Sequence, residues 1–200
     1  MMIPEMKMPA WFDQVDSMPD DPPNSKAYCY GIPSAGCFVL VYPFPEEMAM
    51  PYEAPQEVID GIHQALADDQ GLIEVEKGET KAGHRFIYSI VKTLNKPSGV
   101  QYCLRLNMAY SEHAVQVEGF FDEMGTTGAR DAMVYAMLSK EGKVKVTESG
   151  IEGWNADPYD PDYMNGNRMN CSEKKEYDKL FPEHPLSEMR RFVAELAELN

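Results

Sequence analysis

Four histidines, four cysteines, one serine turn and one acidic loop are the residues whose chemistry could make this chain a catalyst or a metal protein. Their spacing decides how far that reading goes. His63, His84, His113 and His184 fall on a predicted helix, a strand start, a hairpin and a helix start. No two share the spacing with which one element presents a pair of imidazoles to zinc. Each reads separately as a surface or capping residue. Cys29, Cys37, Cys103 and Cys171 contain no C-x-x-C pair. Cys29 and Cys37 could face each other across a first hairpin as two metal ligands, but buried strand thiols are much commoner. A nucleophilic cysteine needs an adjacent base and a depressed pKa, and no local motif marks one of the four.

Ser34 sits in Ile32-Pro33-Ser34-Ala35-Gly36, which lacks the G-x-S-x-G of a nucleophile elbow. Gly125-Thr126-Thr127-Gly128 before Arg130 resembles a phosphate-cradling turn. It lacks the lysine and the glycine spacing of a P-loop, so a helix cap is the better reading. Asp157-Pro158-Tyr159-Asp160-Pro161-Asp162 offers oxygens to calcium. Counted from Asp160, however, the EF-hand positions five, six and twelve fall on Met164, Asn165 and Cys171. A solvated turn is expected there. No cofactor and no metal are expected, and the absence of a catalytic motif favours a non-enzyme.

Composition narrows the partners. The chain has 200 residues, 18 basic and 33 acidic side chains and a formal net charge of −15. Such a surface repels nucleic-acid phosphates and anionic membranes and leaves basic or neutral partners. Met1 to Phe12 holds no continuous apolar run, and Cys37 to Tyr42 is too short to span a bilayer. These features point to a cytoplasmic protein with reduced thiols. The fourteen methionines read mainly as core filler.

The elements that must position these residues follow from periodicity. Residues 1–25, with five prolines, read as an extended N-terminal arm that Trp11 and Phe12 could anchor on the body. Residues 26–200 read as a single α+β domain. Ala27–Ile32 and Cys37–Phe44 form a strand pair, and Gln56–Asp68 a helix with Val58, Ile59, Ile62 and Leu66 on one stripe. A meander follows: Leu72–Val75, His84–Leu94, Val100–Tyr110 and Ala114–Phe121. If Ser111-Glu112 is a two-residue turn, Leu106 meets Val117, Met108 meets Val115 and Leu104 meets Gly119. The other face then pairs Arg105 with Glu118 and Asn107 with Gln116, giving one buried and one polar face. A helix from Thr126 or Thr127 to about Ser139 should bury Ala129, Ala132, Met133, Ala136 and Met137. Lys143–Thr147 is a further strand, Ile151–Asn170 irregular, Ser172–Leu180 a short helix, and residues 185–199 a C-terminal helix burying Leu186, Met189, Phe192, Val193 and Leu196.

Two surfaces stand out as binding candidates. One is the polar sheet face: Arg105, Asn107, Gln116 and Glu118. The other is the aromatic loop with Trp154, Tyr159 and Tyr163, since aromatic side chains are favoured at interfaces. A second aromatic segment, from Tyr42 to Tyr52, is a lesser candidate.

The order of an early strand pair, a helix after a proline-rich loop (Pro55 to Asp68), a meander (Leu72 to Phe121) and a late helix resembles the PsbP-like superfold. That superfold includes a Ran-GTPase-binding protein of eukaryotes, an extrinsic photosystem protein and many small bacterial proteins. The resemblance covers roughly Ala27 to Ser139 and implies an antiparallel sheet flanked by helices, an α/β/α sandwich. It also implies a mostly non-catalytic binding or assembly role, and it carries over no functional residue. The expected function is a non-catalytic protein-binding or accessory module whose partner is another protein, with a homodimer also compatible. The alternative is a small enzyme or ligand-binding protein whose site is assembled from scattered His, Cys or Asp residues.

Overall fold

The computed structural model describes residues 6–44, 50–110, 113–148 and 150–200. Its strands are β1 (Asp13–Val15), β2 (Lys26–Ile32), β3 (Ala35–Phe44), β4 (Gln70–Glu79), β5 (Arg85–Leu94), β6 (Val100–Ala109), β7 (Ala114–Glu123), β8 (Lys145–Thr147) and β9 (Gly150–Glu152). The helices are α1 (Pro55–Ala65), α2 (Ala129–Lys140) and α3 (Pro185–Leu199). The first seven strands make one antiparallel sheet in the order β1-β2-β3-β7-β6-β5-β4, and β8 and β9 make a separate small ladder.

The alternation in β6 fixes the register. Leu106 pairs with Val117, Met108 with Val115, Leu104 with Gly119, Arg105 with Glu118 and Asn107 with Gln116. These are the pairs expected from a two-residue connection; Ser111 and Glu112 themselves lie outside the described residues. One face of the sheet carries Tyr102, Leu104, Leu106, Met108, Val115, Val117 and Phe121. α3 lies on it with Leu186, Met189, Phe192, Val193 and Leu196, all buried. Burying one such side chain contributes about 1.5–3 kcal/mol, so this face is the principal core. α1 lies on the opposite face, where Ile59 packs on Leu72, Val75 and Ile87. The result is an α/β/α sandwich whose α1 layer covers only the β4–β5 end.

Several sequence expectations need correction. The arm contains a strand: β1 pairs with β2, in the proline-free window between Pro9 and Pro19. Phe12 is buried, and Trp11 lies edge-on to Tyr30 and Phe192. On α2 the expected stripe is turned outward. Ala129, Ala132, Met133, Ala136 and Met137 are exposed, whereas Arg130, Val134 and Leu138 are buried. Val134 and Leu138 pack with Val144, Trp154, Tyr177 and Phe181, and this cluster outcompetes the alanine face. β4 is longer than Leu72–Val75. The expected helix from Ser172 to Leu180 is two 3₁₀ turns, Cys171–Glu173 and Lys175–Tyr177.

Candidate functional site

The strand register lays out the α1-side face row by row. One row runs Cys29, Phe38, Phe120, Cys103, Val91, Leu72 across β2, β3, β7, β6, β5 and β4. The next runs Ala27, Leu40, Glu118, Arg105, Ser89, Val75. A third contains Tyr42, Gln116, Asn107 and Ile87. Because α1 stops short of β6 and β7, its last turn and these rows leave a groove of about 310 Å³. Ile62, Ala65 and Leu66 form one wall, Val91, Cys103 and Phe120 the apolar floor, and Ser89, Arg105, Glu118 and Gln70 the polar rim.

The rim is held by hydrogen bonds. Arg105 Nη2 lies 3.3 Å from Glu118 Oε1, and Gln116 Nε2 donates to the same oxygen at 3.0 Å. The Arg105 side chain is 66% exposed, so water screens the pair and it contributes less than about 1 kcal/mol. Its guanidinium can therefore exchange Glu118 for an incoming acceptor at little cost. Burial first, then the Glu118 charge and hydrogen bond, push the Tyr42 hydroxyl up. Burial and the nearby Asp122 charge raise the Cys103 thiol. It is a protonated, apolar lining group and a poor nucleophile.

Not all of the expected polar face is polar surface. Asn107 and Gln116 are buried, at 2% and 6% exposure. Ile87, the β5 neighbour of Asn107, belongs to the α1 cluster with Met50 and Tyr52, so this end of the sheet lies under cover. Asn107 Oδ1 has no hydrogen-bond partner among the described residues.

Trp154, Tyr159 and Tyr163 are not lining residues of this groove; they fasten their own loop. Trp154 packs edge-on to Tyr135. The Tyr159 hydroxyl accepts from Val75 N at 2.6 Å and donates to Val75 O at 3.0 Å. Tyr163 stacks on the His63 ring at 4.1 Å and donates to His63 O. His63 Nε2 lies 2.9 Å from Asp157 Oδ2, and Asp157 Oδ1 accepts from the amides of Tyr159 and Asp160. The solvated turn expected here is instead anchored through Asp157, which is 7% exposed, because α1 supplies a histidine to its carboxylate.

The scattered histidines do not converge as a set. His84 and His113 both contact the Tyr110 ring, while His63 is engaged with Asp157. Cys29 and Cys37 point to opposite faces, since Cys29 pairs with Phe38 and Cys37 with Tyr30. Burial, reinforced by Glu188 and Asp122, pushes the Cys37 thiol up to about 12. Among the described residues no group of three or more His, Cys, Asp or Glu is placed to hold a metal ion.

A second hollow, about 370 Å³, brings Ser34, Glu123, Arg130 and His184 together. It has the residue types of a hydrolytic triad without the freedom. His184 Nδ1 accepts from Leu186 N and from Arg130 Nη1, so its proton sits on Nε2, 3.4 Å from Glu123 Oε1. No ring nitrogen remains to act as a base. Ser34 Oγ donates to Glu183 O. Glu123 also accepts from Gly128 N and Val100 N. The Gly125–Gly128 turn is thus capped by a carboxylate, which occupies the place a phosphate would need.

Beneath this hollow lies an ionic layer that sequence reasoning missed. Arg130, 1% exposed, donates to Ser172 O, Lys174 O, Ser187 Oγ and Asp178 Oδ1. Arg190 bonds Asp178 and Glu74, and Lys92 pairs with Glu173 at 2.8 Å. One signal for it was present: Lys92 continues the Tyr88, Ile90 face of β5, where an apolar residue would be ordinary.

No family model matches the chain, and no curated protein does. Solved structures similar to it include the cyanobacterial PsbP (CyanoP) of Synechocystis sp. PCC 6803. The identity is 12% and the TM-score 0.36, over 72% of this chain and 82% of that one. The Ran-binding protein Mog1p of Saccharomyces cerevisiae is similar at 11% identity and a TM-score of 0.34, over 66% of this chain and 75% of that one. The seven-stranded antiparallel sheet with α1 and α3 on opposite faces makes the chain an α+β fold.

Proposed function

We propose that this chain is a non-catalytic protein-binding or accessory module whose working surface is the groove between α1 and the open half of the sheet. The observation that carries the reading is one concave strip that combines half-buried Ile62, Leu66, Val91 and Phe120 with the exchangeable Arg105–Glu118 pair. Apolar anchors ringed by polar groups are the anatomy of interfaces. The net charge of −15 selects a partner that brings an apolar anchor on a basic or neutral segment, and disfavours nucleic acid and anionic membrane. Gln116 supports the rim through its hydrogen bond to Glu118, and Asn107 lies buried opposite Gln116. Trp154, Tyr159 and Tyr163 act indirectly, by holding the loop against α1. The four cysteines are free thiols, which supports a reducing, cytoplasmic setting. Among the described residues no helix is long and apolar enough to cross a membrane. The enzyme alternative has less support: His184 lacks a free nitrogen and the buried thiols are held protonated.

The test is capture from the protein's own cells after mild crosslinking, with the wild type, Ile62→Glu and Arg105→Glu compared by quantitative mass spectrometry. One partner in near-equal amount, reduced roughly tenfold or more by Ile62→Glu (about 1.4 kcal/mol) with the melting curve unchanged, is the expected result. Identical capture by all three proteins would sink the groove reading.

A further inference from the structure

α2 carries two apolar faces, and the protein covers only one of them. Ala129, Ala132, Met133, Ala136 and Met137 recur at the spacing of a single helical stripe. All five are exposed, Met133 at 57% and Met137 at 41%. Three further exposed apolar side chains flank this helix along the chain. Met124 precedes it, and the cross-strand pair Val146 and Ile151 of the β8–β9 ladder follows it. Met124 is 49% exposed, Val146 75% and Ile151 45%. An exposed apolar stripe along a helix is a surface suited to association.

We infer that the occupant of this stripe is a second copy of the same chain, joined through antiparallel α2 helices. Two properties of the stripe select it. The first is size. Setting Ala132 against Met137 and Met133 against Ala136 places every methionine over an alanine, and a twofold axis repeats both pairs. Lys140 then lays its aliphatic stem over Ala129. Small residues facing long ones let two helices approach within the usual 8–10 Å. The second is charge. A chain with 33 acidic side chains and a net charge of −15 resists its own copy over most of its surface. The stripe holds no acidic side chain, and Lys140 is its one charge. The neighbouring Asp131 directs its carboxylate inward to Ser172 and Asn170. A lone helix pair buries less than the roughly 800 Å² per partner of a stable interface, so the expected dimer is weak and its population depends on concentration.

None of these residues lines the groove, so the two surfaces are tested separately. The full chain is followed by sedimentation equilibrium over a range of concentrations. The mass is expected to rise from that of the 22.6 kDa chain to twice that value. Met133→Glu/Met137→Glu, or Ala132→Glu as an independent variant, should raise the dissociation constant by about 100-fold or more with an unchanged circular dichroism spectrum. The groove variant Ile62→Glu should dimerise as the wild type does. A wild type that stays monomeric at its highest soluble concentration overturns the inference, as does a dimer that persists in both stripe variants.

Discussion

Arg130 shows how much a single residue can carry. Its guanidinium ties the start of α2 to the two 3₁₀ turns and to α3, and it is almost completely removed from water. Deleting one partner of a buried ionic cluster leaves the others desolvated and unpaired, at a cost of several kcal/mol. Arg130→Met should lose about 3 kcal/mol or more by urea unfolding; a loss under about 1 kcal/mol would mean that water replaces the guanidinium. Glu123 gives a pH signature. Burial pushes its carboxyl up, but the His184 hydrogen bond and the Gly128 and Val100 amides outweigh burial, so its folded pKa lies below the ordinary value. A depressed carboxyl contributes stability that is present above the unfolded pKa, about 4.3 for Glu. That stability is lost as the pH falls through the lower folded value. Glu123→Gln should therefore lower stability at neutral pH and flatten the acid limb of a stability–pH curve. An acid limb of unchanged slope would contradict this. Neither residue's role was legible in the sequence: every partner of Arg130 lies in the segment from Ser172 to Ser187, and Glu123 draws on Val100 and His184 as well as on nearby Gly128.

At the level of elements, legibility followed burial on one side. β6 and β7 alternate cleanly because one face must meet α3, and their register could be read pair by pair. α2 has apolar residues on two faces, so its periodicity does not say which one turns inward. The segment from Ile151 to Asn170 has no periodicity and reads only as irregular, with a solvated turn from Asp157, although it does the work of a missing strand. β4 is the last strand of the sheet, and the Tyr159 hydroxyl satisfies both the amide and the carbonyl of Val75 on its open side. Asn167 N donates to Gln70 O at 2.7 Å further along. Gly71 makes room for that contact, since a Cβ there would lie 1.9 Å from Asn167 O. Tyr159→Phe should leave the Val75 amide and carbonyl unpaired and cost about 1–2 kcal/mol. Faster hydrogen exchange at Val75 is the direct readout, and unchanged exchange there would show that the loop holds the edge without the hydroxyl. The groove was half legible for the same reason. Arg105 and Glu118 were named from alternation, while Ile62, Leu66 and Phe120 join them only because α1 ends where it does.

On the scale of the whole molecule, fold class was the most readable property, because strand and helix patterns rarely conflict in this chain. Charge bears on the proposed partner at this scale: an acidic body leaves basic or neutral surfaces as its natural company. The division of labour between the two sheet faces was not readable. It depends on α3 covering the centre of one face while α1 covers only an end of the other.

The strand order has a kinetic meaning. Every pairing in the large sheet joins strands consecutive in the chain except one, β3 with β7, where Ala35 meets Glu123. The sheet is two local meanders, β1–β3 and β4–β7, closed along a single line. Local hairpins form quickly, and a long-range closure costs chain entropy before it gains contacts. The four-strand meander should therefore be structured in the folding transition state, with the closing line completed afterwards. Leu106→Ala, inside the meander, should slow folding, while Val41→Ala, on the closing line opposite Val117, should chiefly speed unfolding. Stopped-flow chevrons with the reverse assignment would mean that the chain's two halves meet before either is built.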